Sequence, residues 1–296
     1  MTVSESIARG DLRCVVTHQK LRLTSEQSLV SEDGKTHYPV IHGVPHILRD
    51  QASTAAYLAV NPAMEAEYAH AKKTGTTSIL RRVAMQVKGL LAHDFRTPAS
   101  RAAFAQLMQS ADATKTFLSI GGGPVVVHPH LTNLNIGPFA NVAIVADAHA
   151  LPYADATVDG IYCEAVLEHL SDPAKAVAEM FRVLKPGALV FAATPFLQAF
   201  HGYPNHFQNY TLFGHERLFT SHGFTRIDSG CCVGPVNALL TLNARAIGLY
   251  IPGIVGKLLK GAFQLLTLWM RPLDRLLAKS PNSHMLASTT YVLMKK

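Results

Sequence analysis

From position 116 onward, short apolar runs recur and each is closed by Gly, Asn, Asp or Pro. The runs are 116–120, 133–136, 142–146, 160–163, 188–193 and 224–228. Their length and their punctuation fit strands buried on both faces of a sheet. Helical periodicity fills 173–184 and 212–222, between the later runs. Strands alternating with helices close into a parallel, doubly wound α/β sheet of the Rossmann-like kind. A ligand of such a sheet sits outside the carboxyl ends of its strands, so the residues just after each run are where chemistry is expected.

Gly121-Gly122-Gly123 ends the first run, and without side chains its backbone N–H groups can approach a ligand closely. Asn135 ends the second run, with an amide oxygen able to accept a hydrogen bond. Asp147-Ala148 ends the third and leads into Leu151-Pro152-Tyr153. Asp159 precedes the fourth, and Glu164 to His169 follow it. Arg182-Val183-Leu184-Lys185-Pro186-Gly187 then leads into the fifth.

In this order and spacing these segments resemble the successive loops of class I S-adenosylmethionine-dependent methyltransferases of the small-molecule type. The resemblance implies S-adenosylmethionine as cofactor, with Gly121, Gly122 and Gly123 against its methionine part. It implies further that Asn135 meets the ribose hydroxyls, that Asp147 receives the adenine amino group, that Ala148 offers its N–H, and that Glu164 lies toward the methionine end. Asp159 and the Arg182–Gly187 turn are structural in that pattern. Ser119, Asn135 and Val125 depart from it, standing where the family usually has an acid, an acid and a glycine. The link from Gly123 to Leu134 is short and carries Pro124, Pro129 and His130, so the family's first helix shrinks to a turn or less. The alternative to an enzyme is therefore an inactive scaffold or regulatory protein that kept the fold.

Methyl transfer from a sulfonium asks the protein mainly to align the reactants, and an oxygen or nitrogen acceptor also needs a base. The segment after the fifth run, 194–210, combines aromatic rings, amides, His201 and His206. These suit a pocket for a small-molecule, carbohydrate or lipid-linked acceptor, methylated at oxygen by expectation, with His201 or His206 as base and His169 as a third candidate. The plainer role is to pin a long loop. Glu168 and His169 have an ordinary reading too, as polar residues opening the helix after Asp172-Pro173. No metal is expected, since His201 and His206 lack an evident third ligand.

Residues 1–50 read as a small β module resembling the zinc-ribbon-like unit that precedes some bacterial methyltransferase domains. It is degenerate, because of the two Cys pairs only Cys14 remains. Residues 51–113 read as a helical cap, and 114–296 as the main domain with an apolar helical insertion, 234–287, before the last strand at 288–294. Neither apolar run of that insertion reaches the roughly 20 residues of a membrane span. Its Lys and Arg residues and Trp269 suit a hairpin in a membrane interface; a homodimer surface or a lid through 238–279 are the alternatives.

A formal charge of +7 spread without blocks argues against nucleic acid as a partner. Cys14, Cys163, Cys231 and Cys232 match no disulfide framework. The first residues lack a signal peptide's apolar core. A cytoplasmic protein, or one peripheral to the inner face of the membrane, is expected.

Overall fold

The computed structural model describes residues 3–25, 28–50, 96–123, 125–202 and 205–296. Most of the helical cap expected over 51–113 lies outside them. Its end is a helix, α2 (Pro98–Met108), started by Thr97, whose Oγ1 accepts from Ser100 N–H, and by proline in the first turn. A short helix, α1 (Val3–Ala8), opens the chain.

The architecture is mixed α/β around a central sheet, as the alternation of runs predicts. β5 (Phe117–Ile120), β6 (Leu131–Asn135), β7 (Ile144–Ala146), β8 (Val158–Glu164) and β9 (Leu184–Pro195) pair in parallel in the order β7-β6-β5-β8-β9. β10 (Thr225–Val233) ends the sheet, and β11 (Thr289–Lys295) inserts antiparallel between β9 and β10. Every residue of β5 is buried, which is why its pattern shows no alternation. No helix joins β5 to β6, in keeping with the prolines of that link. Helices α3 (Pro173–Val183) and α4 (Leu212–Thr220) supply later crossovers; α3 buries Ala176, Val177, Met180 and Val183 at helical spacing.

The N-terminal strands are continuous with this sheet. β1 (Leu21–Ser25), β2 (Ser28–Ser31), β3 (His37–Ile41) and β4 (Val44–Ile47) form an antiparallel run, and β4 pairs in parallel with β7. Leu12, Cys14, Leu29, Tyr38 and Ile47 share one core cluster with Leu118, Ile144 and Val190. Cys14 Sγ lies 3.1 Å from the Tyr38 hydroxyl and accepts from Thr17 N–H. Ser31 Oγ donates to Asp33, closing a turn.

Segment 151–155 is where these parts meet. Arg182, at the end of α3, donates to the carbonyls of Leu151 and Tyr153 and to the Asp155 carboxylate, at 2.8–2.9 Å. Glu179, one turn earlier, takes two hydrogen bonds from Arg182 and one from Leu151 N–H. From the other side, Arg13 N–H donates to Pro152 O and Ala154 N–H to Asp11 O. Arg182→Met should therefore cost about 2–4 kcal/mol, because Glu179 stays half-buried without its charge partner. Hydrogen exchange should show the loss as faster exchange at Leu151 and Ala154 N–H, which thermal melting alone does not localise.

Candidate functional site

The loops predicted to carry chemistry do line the carboxyl ends of β5, β6, β7, β8 and β9. Gly121 has φ +72°, and a Cβ there would fall 2.2 Å from Val166 Cγ2; only glycine fits. A Cβ on Gly122 would lie 2.7 Å from the Asn133 side chain, whereas one on Gly123 would meet nothing within 4 Å. Gly121 and Gly122 thus serve packing, and Gly123 leaves backbone open to a ligand. Asn135 ties neighbouring loops together: Nδ2 donates to Gly122 O at 3.1 Å, and Oδ1 accepts from Gly137 N–H at 3.0 Å. One lone pair of Oδ1 remains for a ligand.

Asp147 is half-buried after β7, with Ala148 beside it. Its Oδ1 accepts from His149 N–H at 2.9 Å and lies 2.7 Å from His149 Nδ1. Burial works to raise its pKa, but these hydrogen bonds prevail and hold the carboxyl below its usual range. His149 Nε2 in turn accepts from Asp172 N–H at 3.4 Å, at the start of α3. The role of His149 had its trace in the sequence, an Asp-x-His spacing.

After β8 the chain turns sharply through Ala165, a non-glycine residue at φ +54°. Glu164 faces Arg96 Nη2 at 2.6 Å and takes a hydrogen bond from the Tyr162 hydroxyl. Burial opposes the charge on Arg96, yet the Glu164 carboxylate and Tyr162 hold the guanidinium more firmly protonated than usual. Nothing local announces Arg96 in the sequence, since it comes from a segment 68 positions away.

Glu168 does not open the following helix. That start belongs to Asp172, whose Oδ1 accepts from Lys175 N–H. Glu168 sits instead in a separate 3-10 turn, Leu167–His169, and is 0% exposed. Its Oε2 accepts from Thr194 Oγ1 at 3.1 Å. Around its other oxygen stand His169 and His201, whose Nε2 atoms lie at 3.8 and 3.9 Å. His206 completes a cluster of rings, with its centroid 4.4 Å from that of His201 and 5.8 Å from that of His169. The Glu168 carboxylate raises the pKa of His201 above its ordinary value, more than burial lowers it. His206 faces elsewhere: Nδ1 accepts from His201 N–H, and Nε2 donates to Asn209 Oδ1 at 2.6 Å. The three histidines named from sequence therefore do come together, and the group that organises two of them is Glu168, for which helix-opening was one of two readings.

Beside His201 a cavity of about 440 Å³ lies between the loop after β9 and the insertion. The insertion is a hairpin of α5 (Pro235–Tyr250) and α6 (Gly253–Leu266), closed at its base by 3-10 turns. Ala199 and His201 form one wall of the cavity; Leu240, Ala244, Arg245 and Phe263 form the other. Buried Asp274 accepts from Val236 and Asn237 N–H, capping α5. The hairpin's outer side exposes Leu249, Tyr250, Ile254, Leu258, Leu266 and Trp269, each more than half accessible. No helix among the described residues is long and apolar enough to cross a membrane.

Residues 127–192 match the family described as methyltransferase domain. An uncharacterized methyltransferase of Mycobacterium sp. (strain KMS) is 33% identical over 144 residues, covering 41% of this chain and 55% of that protein. The ubiquinone/menaquinone biosynthesis C-methyltransferase of Klebsiella pneumoniae (strain 342) is 50% identical over 54 residues, 18% of this chain and 22% of that one. The chain spans about half the length of the first of these curated relatives. Among solved structures, the 1,6-didemethyltoxoflavin-N1-methyltransferase of Burkholderia thailandensis aligns over 93% of this chain and 98% of its own, at 13% identity and a TM-score of 0.43.

The Asp147–His149 pair yields a titration that can be read directly. In His149→Leu the hydrogen bond from the ring and its electrostatic support are lost, while the backbone N–H bond and the burial stay. The Asp147 carboxyl should then titrate at higher pH than in the parent protein, measured by carbon NMR.

Proposed function

We propose that the protein transfers a methyl group from S-adenosylmethionine to an amphiphilic, lipid-linked acceptor bound in the cavity beneath the hairpin. The observation that carries this reading is the cavity itself, in which Leu240, Ala244 and Phe263 stand beside Arg245 on the hairpin side and which ends on His201, next to Glu168 of the loop after β8. The cofactor, when bound, supplies a methyl group already activated by its sulfonium. The residues present fit it. Gly123 offers unobstructed backbone, Asp147 a carboxylate kept ionised by His149, and Glu164 is held in place by Arg96. Asn135 contributes less than an acid would, because its amide is already spent on neighbouring loops.

At the acceptor, the buried Glu168 carboxylate and the His201 ring beside it are a place for a proton leaving a hydroxyl. The oxygen preference rests on that pairing. The hairpin's charge favours an acceptor held at a membrane. Arg245, Lys257, Lys260, Arg271, Arg275 and Lys279 lie in the insertion, where the sole acid is the buried Asp274. Cationic side chains among exposed Leu, Ile and Trp suit the interface of an anionic bilayer. The N-terminal strands are read as a zinc-ribbon-like module without its metal, in which Tyr38 and Thr17 hydrogen-bond the one retained thiol.

Calorimetric titration with S-adenosylhomocysteine should give micromolar affinity, weakened about 10- to 100-fold in Asp147→Ala, the worth of one charge-assisted hydrogen bond. Absence of binding by the folded protein would leave the inactive scaffold as the better reading. Trp269 is the single tryptophan of the chain, so its fluorescence reports the hairpin alone. It should shift to the blue with anionic vesicles and stay unchanged with Leu258→Glu, Leu266→Glu; no shift in the parent protein removes the membrane from the proposal.

A further inference from the structure

We propose that Glu168, His169 and His201 form a binding site for one divalent transition-metal ion of the zinc type. One Glu oxygen and two imidazole nitrogens lie within 4.8 Å of one another. Glu168 is fully buried, and its Oε1 has no hydrogen-bond partner among the described residues. A buried carboxylate oxygen left in that state is costly unless a cation or proton meets it.

The two imidazoles fix what faces it. His169 Nδ1 lies 2.5 Å from Asn205 O, and His201 Nδ1 lies 3.1 Å from Ala199 O. A carbonyl oxygen only accepts, so in each neutral ring Nδ1 bears the proton and Nε2 presents a lone pair. With both rings neutral the two lone pairs converge on a carboxylate, an arrangement that repels unless a proton or a metal ion stands between them. A histidine that donates its far N–H to a backbone carbonyl, and a carboxylate held by a hydroxyl, here Thr194, are also the outer supports that metal ligands ordinarily have.

Two His and one Glu make the donor set of open, catalytic zinc sites, which leave a coordination position for water or substrate. Ligand atoms around a tetrahedral zinc stand about 3.4 Å apart for bonds of about 2.1 Å. The 3.8 and 3.9 Å Glu–His separations thus require those side chains to close by about half an ångström, and the two imidazoles, within 4.8 Å, must approach as well. His201 also lines the cavity, so an ion held there stands beside the space read as the acceptor site. An ion there lowers the pKa of a coordinated hydroxyl, so that the proton passes to solvent water while Glu168 and His201 hold the ion instead of accepting the proton. Metal binding stands independently; this role of the ion rests on the reading of the cavity as the acceptor site.

The full chain, freed of metal with a chelator, is titrated with zinc chloride by calorimetry and with cobalt(II) by visible absorption. One ion per chain at micromolar affinity or tighter is expected, with cobalt bands of low coordination number. Thr194→Val should weaken binding about 10- to 100-fold, and Glu168→Gln or His201→Ala by more. Thermal melting verifies that each variant folds, and half-buried His201 keeps the test valid if Glu168→Gln does not. His128 and His130, with ring centroids 5.5 Å apart, are a half-buried pair able to catch zinc adventitiously. No stoichiometric binding, or binding lost in His128→Ala, His130→Ala but kept in His201→Ala, overturns the proposal. Metal binding and S-adenosylhomocysteine binding are read separately, so failure of one leaves the other standing.

Discussion

Arg182 and Glu179 hold the loop on which the two halves of the protein are assembled. Their fork of hydrogen bonds takes up Leu151 N–H and the carbonyls of Leu151 and Tyr153. With its outer edge thus fixed, segment 151–155 presents Pro152 O and Ala154 N–H to the N-terminal unit, which adds its strands to the sheet at β7. The same loop begins a few residues after Asp147. A guanidinium is suited to the task, since its planar set of donors can meet a carboxylate and two carbonyls at once. A turn that seemed to do no more than lead into β9 therefore also holds the loop to which the N-terminal unit is joined.

The site divides into two parts of different construction. Around Gly123, Asn135 and Asp147, polar side chains spend most of their bonding capacity on one another, leaving backbone and one carboxylate to a ligand. Around Glu168 the reverse holds, with a carboxylate oxygen and two imidazole nitrogens directed at a common point. The first is built to recognise, the second to carry charge. The cavity under α5 and α6 joins the second part.

Much of this was legible in the sequence because it is local. The runs that became β5 to β9 are bounded by their own turn residues, and Asp147, Ala148 and the glycines sit at fixed offsets from strand ends. What was not legible depends on distance. Arg96 reaches Glu164 from before α2, and no periodicity connects them. Glu168 was visible with two readings, one in the site and one as the opening of a helix ahead of Asp-Pro, and local sequence could not choose between them, because its partner Thr194 comes from another strand. His206 shares the loop of His201 and was equally eligible, yet its ring nitrogens are taken by His201 N–H and Asn209.

The placement of β11 has a kinetic side. β9 and β10 make no ladder with each other and are joined only through β11, which follows both in sequence with all of α5 and α6 in between. Until that strand arrives, β9 carries an open edge of buried-type residues, a hazard for pairing with other chains. During that interval the apolar hairpin has already been made. The central sheet is therefore completed only after the whole hairpin has been made, by a strand from the very end of the sequence.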